Sequence, residues 1–402
     1  GIPFVLSARQ AYTQWSADGG ATWNPTTNAQ STTFQRFCSG QSYVPNTFGP
    51  GRGVVDPLYI TGEEVQRGRL FVLDLENDQL YRLSGVTGHS SSINGGMPSD
   101  AWENAALIDT GETGHIALLL APDGGTQRMQ IYIGEKGKGL DGLPSDSFLA
   151  RNGLAYGSYY YLNDQLPAQR GTISTNGAFS RLSRPTLASS KLEDIDTSPV
   201  DGTKVVLGDQ NSGVFTFDFD LDFSTGTFDA ESSGFSLTKI ADHIPSLERL
   251  DNADNIDWCG ATTLNGTHYP DGLIFVNEDN ASGQVWMMEP DGSGQTLIAS
   301  TIPSAESSGV LDISTLLGYA PGSILLTDNQ PRPLESLSAL INPNAARAFA
   351  AFVPATIQVH FGDLDKADHL FFSAGFRLGE QSDGIDLGED EMLFSEIGRA
   401  HV

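Results

Sequence analysis

The chain has 402 residues, with 50 acidic against 22 basic side chains and a formal net charge of −28. A polyanion would be repelled rather than gain from counter-ion release, so nucleic acid is excluded as a partner. Two cysteines are too few for a disulfide framework, and no run approaches the roughly 20 apolar residues of a membrane span.

Such acidity fits bound cations, a saline habitat or plain solubility, and solubility accounts for most of the acidic residues. The 45 glycines and 20 prolines supply turns. Helical material is scarce, and residues 336–351, rich in Leu and Ala, are the best candidate. The length allows one large all-β domain or two ordinary domains.

Residues 2–37 mix Gly, Thr, Ser and Asn with aromatics and suit an outer surface or a closing strand. A first unit runs from Cys38 to Leu83. Within it, Leu58-Tyr59-Ile60-Thr61 is a β-prone run ending in Gly62-Glu63-Glu64, followed by a hairpin over residues 68–83 closed by Asn77-Asp78. After a Gly/Ser loop come Trp102-Glu103-Asn104-Ala105, the strand at 115–120, the turn Pro122-Asp123-Gly124-Gly125, and a strand ending at Gly134-Glu135. Residues 136–190 read as an irregular insertion, in which the tyrosine run at 156–161 is either a lid or outer wall, or a blade edge. The phrase returns at Leu192-Glu193-Asp194-Ile195-Asp196, at Ala253-Asp254-Asn255-Ile256-Asp257, and at Glu306-Ser307-Ser308-Gly309-Val310.

Units of four strands returning about every 40 to 60 residues predict a propeller. No linker divides the chain. The expectation is therefore all-β, a single six-bladed β-propeller with irregular insertions over residues 1–395. Residues 396–402 read as a non-native tail.

In a propeller the innermost strands line a channel and their ends converge on one face. Glu63, Glu64, Glu103, Glu135, Glu193, Asp254 and Glu306, each at a strand start or end, would meet there. So many carboxylates cannot all ionise together without cations, and oxygen ligands of this kind suit calcium. Taken singly, each reads better as an ordinary solvated loop carboxylate, and only the recurrence of the set favours a cation site. Other chemistries lack their residues: there is no Gly-x-Ser-x-Gly elbow, and the seven histidines show no zinc spacing. Residues 134–139 lack the Gly-Lys-Ser/Thr ending of a phosphate loop. Asp257, Cys259 and His268 could lie near one another, but Cys259 reads as a buried structural thiol.

The order of these phrases resembles the PhoX-type alkaline phosphatases, calcium-dependent bacterial propeller enzymes, over about residues 38–330. Cys38-Ser39-Gly40 and Ile60-Thr61-Gly62-Glu63-Glu64 are similar to that family's Cys-Ala/Ser-Gly and Leu-Thr-Cys-Glu-Glu segments. Trp102-Glu103-Asn104-Ala105 and Tyr132-Ile133-Gly134-Glu135 resemble His-Glu-Ala/Gly-Ala and Tyr-x-Gly-Asp-Asp. Lys191-Leu192-Glu193-Asp194-Ile195, Ala253-Asp254-Asn255 and Glu306-Ser307-Ser308-Gly309-Val310 resemble Arg-Pro-Glu-Asp/Gly-Ile, Pro-Asp-Asn and Glu-x-x-Gly-Val/Pro.

The resemblance implies a cluster of calcium and iron with a thiolate shared by the irons. Its ligands would be Glu63, Glu64, Glu103, Glu135, Glu193, Asp254, Glu306 and Cys38. Lys191 and Glu193 would be catalytic. Two departures stand out: Gly62 replaces the family cysteine and Lys191 the arginine, keeping the charge but losing the bidentate fork. The expected function is a secreted, metal-dependent phosphatase that hydrolyses small phosphate monoesters to inorganic phosphate, a monomer of the periplasm or the exterior. The alternatives are a non-catalytic calcium-stabilised propeller that binds ligands or surfaces, and a calcium-dependent lactonase or phosphotriesterase-like hydrolase.

Overall fold

Short apolar runs cut by Gly- and Asp-bearing turns fold into antiparallel meanders. The computed structural model describes residues 11–26, 34, 36–86, 88–89, 99–123, 129–163, 174–180, 191–245, 249–280, 283–300, 305–331, 337–341, 372–374 and 394–396.

The first sheet holds β1 (Gln14–Ser16), β2 (Asn24–Pro25), β3 (Phe37–Tyr43), β4 (Leu58–Glu63), β5 (Leu70–Asp74) and β6 (Gln79–Arg82), in the order β2-β1-β6-β5-β4-β3. Asp78 takes a positive φ of 54° in the expected Asn77-Asp78 turn. The buried Asp74 carboxylate caps that turn, accepting from the Glu76 and Asn77 amides at 3.0 and 3.1 Å. A two-residue β7 (Gly88–His89) follows.

The second meander is β8 (Trp102–Ile108), β9 (His115–Pro122), β10 (Gln130–Glu135) and β11 (Tyr156–Asn163), with one helical turn, α1 (Phe148–Arg151), before its last strand. The tyrosine run is thus the outer strand of a blade. β12 (Ser174–Ser180) pairs with β11 and with β16, joining the outer edges of two blades. The third meander is β13 (Leu192–Thr197), β14 (Lys204–Asp209), β15 (Gly213–Asp222) and β16 (Asp229–Asp242).

The fourth is β17 (Ala253–Trp258), β20 (Ile274–Glu278), β21 (Gln284–Met288) and β22 (Thr296–Ser300), with a side hairpin of β18 (Thr262–Leu264) and β19 (Thr267–Tyr269). The fifth is β23 (Ala305–Asp312), β24 (Leu325–Pro331) and β25 (Leu337–Ile341). A last hairpin pairs β26 (Phe372–Ala374) with β27 (Phe394–Glu396). The expected helix at 336–351 is corrected where it is described: β25 pairs with β24 from Ile341↔Leu325 to Leu337↔Asn329. Strand pairing overrides the weak helical preference of Leu and Ala there. Residues 342–351 lie outside the described set. Among the described residues no helix is long and apolar enough to cross a membrane.

The cores lie between successive meanders. In β9, Ala117, Leu119 and Ala121 face the third meander, while Ile116, Leu118 and Leu120 face the first. In β14, Val205 and Leu207 join the core with the second meander and Val206 the core with the fourth. Phe275 of β20 turns toward the fifth, its neighbours Ile274 and Val276 toward the third. Sheets buried on both faces and stacked in chain order are the arrangement of propeller blades.

Side chains of the first strands tie each blade to the next. Asn104 Nδ2 donates to Asp194 Oδ1, and Asp194 Oδ2 accepts from the Ile256 amide at 3.1 Å. Asp196 Oδ2 accepts from the Trp258 amide at 2.7 Å, and Asp257 Oδ2 from the Asp312 amide at 3.1 Å. The Gly309 amide donates to Asn255 Oδ1 at 2.8 Å. Burial pushes the carboxyls of Asp194 and Asp196 up, to about 6 and about 7. Burial, then the neighbouring Asp196 and Asp312, drives Asp257 well above the carboxylate range.

Raised carboxyl pKa values mean that the folded chain holds these protons more tightly than the unfolded chain. Their stabilisation is complete below the ordinary value of 3.8 and is lost as pH rises through about 6 to about 7. Denaturant unfolding of metal-free protein should therefore show stability falling from about pH 4 to about pH 7, by up to a few kcal/mol. Asp196→Asn should make that slope shallower, whereas Asp220→Asn, at an exposed position of β15, should not. Equal slopes in the two variants would refute the ladder's role.

Candidate functional site

Among the described residues, the first strand of every blade carries a β-bulge at the same level. The register shifts at Phe37/Gly40, Trp102/Asn104, Leu192/Ile195, Ala253/Ile256 and Ser308/Val310. A bulge breaks alternation and re-aims consecutive side chains. The re-aimed pairs are Glu103-Asn104, Glu193-Asp194 and Asp254-Asn255. The second residue of each pair reaches across to the next blade, as described above, and the first is an acid buried to 0% exposure.

Three further groups join Glu103 and Glu193. Glu64 follows β4, and its amide donates to the Arg36 carbonyl at 2.9 Å, which fixes the chain as it leaves the strand. Asp123 follows β9, whose last residue, Pro122, stands opposite Trp102, and its amide donates to the Ala101 carbonyl at 2.7 Å. Lys191 immediately precedes β13. Its Nζ lies 3.0 Å from Glu193 Oε1, 3.2 Å from Asp123 Oδ1 and 3.7 Å from Glu64 Oε1. Burial and the adjoining Glu64 raise the Asp123 carboxyl, against the pull of Lys191.

Glu64, Glu103 and Asp123 can each offer a carboxylate oxygen, and all three oxygens lie within 4.8 Å of one another. An ion ligated at about 2.4 Å leaves its oxygens at most about 4.8 Å apart, so the spacing and the hard donors fit calcium. Residue 62 has no room to supply a thiolate. A Cβ built on Gly62, where the resembled family has its cysteine, would stand 2.4 Å from Trp102 Cβ and 3.0 Å from the Trp102 carbonyl oxygen. Neither atom is the far end of a flexible side chain.

The other expected ligands fall elsewhere or go untraced. Glu63 turns to Arg69, which grips it with Nε on Oε2 and Nη2 on Oε1, both at 2.6 Å. Glu135 is not brought to the group. It pairs with Lys138 and stands opposite His115, six residues along β9 from Ala121, or about 20 Å from the Glu103 end of the blade. Asp254 is buried at the matching bulge of β17, near enough to Asp194 to raise its pKa. Cys38 and Glu306 lie in β3 and β23, with side chains outside the described residues. Cys259 is buried in the core between the fourth and fifth blades, and burial with Asp257 and Asp312 pushes its thiol up, which keeps it inert.

Sequence reasoning missed Asp123 as a site residue because Pro-Asp-Gly-Gly reads as turn chemistry. The available signal was its place in the β8–β9 hairpin: the strand end opposite a Trp-Glu start must share that start's surroundings.

No family model matches the chain, and no curated protein matches it. Among solved structures, PhoX of Pseudomonas fluorescens in complex with vanadate, a transition state analogue, is similar at 12% identity and a TM-score of 0.45, over 69% of this chain and 58% of that one. The present chain therefore spans less than two thirds of that protein. Saccharomyces cerevisiae Sqt1 is similar at 10% identity and a TM-score of 0.36, over 85% and 73% of the two chains. Trypanosoma rangeli sialidase in complex with the inhibitor DANA is similar at 10% identity and a TM-score of 0.37, over 92% and 57%. At these identities and scores neither family nor activity passes to this chain.

The closed position at Gly62 yields a direct test. Gly62→Cys should destabilise the protein by roughly 1–3 kcal/mol, the usual range for overpacking a filled site. Trp102→Ala should not rescue Gly62→Cys, because alanine keeps both the Cβ and the carbonyl that close the position. A Gly62→Cys variant as stable as the parent in urea unfolding would contradict the packing.

Proposed function

We propose that the group at Lys191 is the active centre of a metal-dependent phosphatase that hydrolyses small phosphate monoesters and releases inorganic phosphate. The observation that carries this reading is the meeting of Glu64, Glu103 and Asp123, whose oxygens lie within 4.8 Å of one another, with the ammonium of Lys191 against Glu193 beside them. A calcium ion held there supplies a Lewis acid for a phosphoryl oxygen. Lys191 binds a second phosphoryl oxygen as a point charge, and its charge counts for more where negative charge builds up on the transferring group. Glu193, its carboxylate 3.0 Å from Nζ, orients that ammonium. The burial of Glu103 and Glu193 keeps bulk water from the carboxylates.

On this reading the chain is one six-bladed propeller and works as a monomer in the periplasm or outside the cell. The collinear motifs of residues 38–330 support that setting.

The filled position at Gly62 favours a second reading, a calcium-stabilised propeller that binds without turnover. A third, a calcium-dependent lactonase or phosphotriesterase-like hydrolase, would use the same carboxylates.

Calcium-loaded protein should release phosphate from monoesters such as p-nitrophenyl phosphate, lose that activity to a chelator, and regain it with calcium. Glu103→Gln should lower kcat/KM by about a hundredfold or more, by analogy with loss of other metal-orienting groups. Turnover of lactones or phosphotriesters alone would select the third reading. No turnover across a panel of phosphate mono- and diesters, with a melting temperature that still rises on adding calcium, would select the second.

A further inference from the structure

We propose that Lys191 is a displaceable counter-ion: its ammonium holds the carboxylates together in the metal-free protein, and a divalent cation entering at Glu64, Glu103 and Asp123 drives it off two of them. The inference rests on the reading of those three residues as cation ligands, and not on phosphatase activity.

Lys191 Nζ reaches Asp123 Oδ1 at 3.2 Å and Glu64 Oε1 at 3.7 Å. Both residues belong to the set whose oxygens converge within 4.8 Å. Ammonium and cation therefore draw on the same two carboxylates. Two positive charges a few ångströms apart repel strongly in a site where Glu64 and Glu103 are 5% and 0% exposed. One of them must yield.

Lys191 can yield. Its side chain is 23% exposed and ends a flexible four-carbon stem, and Glu193 remains as a partner, at 3.0 Å the nearest of the three carboxylates. Displacement would also turn the ammonium toward incoming phosphate only once the metal is in place.

Calcium titration calorimetry of the full chain, freed of metal by a chelator, tests the competition. Lys191→Met should bind calcium about tenfold or more tightly than the parent. Lys138→Met, which removes the same charge beside Glu135, should leave the affinity unchanged. Equal or weaker binding by Lys191→Met, or an equal gain in Lys138→Met, would overturn the proposal. No calcium binding by any of the three would overturn it together with the metal reading.

Wild-type protein separates displacement from simple repulsion and covers the case of a variant that does not fold. Reductive methylation read by peptide mass spectrometry should label Lys191 severalfold faster with calcium than without, while Lys138 labelling stays constant. An unchanged or slower rate at Lys191 overturns displacement. Loss of phosphatase turnover alone, with both readouts as expected, would bear only on the proposed function.

Discussion

Crowding of negative charge at the ends of the inner strands is the constraint on which the rest depends. Glu64, Glu103, Asp123 and Glu193 share one small region, and Lys191 lies within ion-pair distance of three of them. Desolvating a carboxylate costs several kcal/mol even after the protein relaxes, so such a group persists only with positive charge supplied nearby. Glu63, one residue from Glu64, has its charge answered by the fork of Arg69, which in turn lies over Phe71. Two adjacent glutamates thus serve different ends: one is spent on the wall of the first blade and the other left for the centre.

The bulges explain how one strand supplies both glue and chemistry. In a regular strand Glu103 and Asn104, or Glu193 and Asp194, would point to opposite faces of the blade, into apolar cores on either side. The bulge releases both from that alternation. The second of each pair then finds the next blade, as Asp194 does with the Ile256 amide, and the first is freed for the axis. Farther along the same strands, Asp196 and Asp257 continue the ties between blades at a level where no basic side chain answers them among their recorded hydrogen bonds. There burial and neighbouring carboxylates drive the carboxyls up, whereas at Asp123 the ammonium of Lys191 opposes the rise.

Much of the fold was legible because local signals and packing agree. The hairpin closed by Asn77-Asp78 and the recurring acid beside an apolar run both sit in blades. Where the two disagreed, sequence reading failed. Leu337–Ile341 has the composition of a helix, yet the edge of β24 needed a partner and imposed a strand. Glu135 looked equivalent to Glu103 because both stand at strand ends, but strand direction decides which end, and β10 delivers its acid to the far side of the blade. Asp123 showed the converse, a turn residue carried into the site by the hairpin register that pairs Pro122 with Trp102.

The closed position at Gly62 bears most directly on chemistry. A side chain there would need the space that the Trp102 Cβ and carbonyl fill, atoms that any residue but glycine supplies at 102. The donors that do converge, on Glu64, Glu103 and Asp123, are carboxylate oxygens, which are hard ligands. The ammonium of Lys191 lies 3.2 Å from Asp123 Oδ1 and 3.0 Å from Glu193 Oε1. Its charge is tethered to the chain, so it answers these carboxylates without a bound ion.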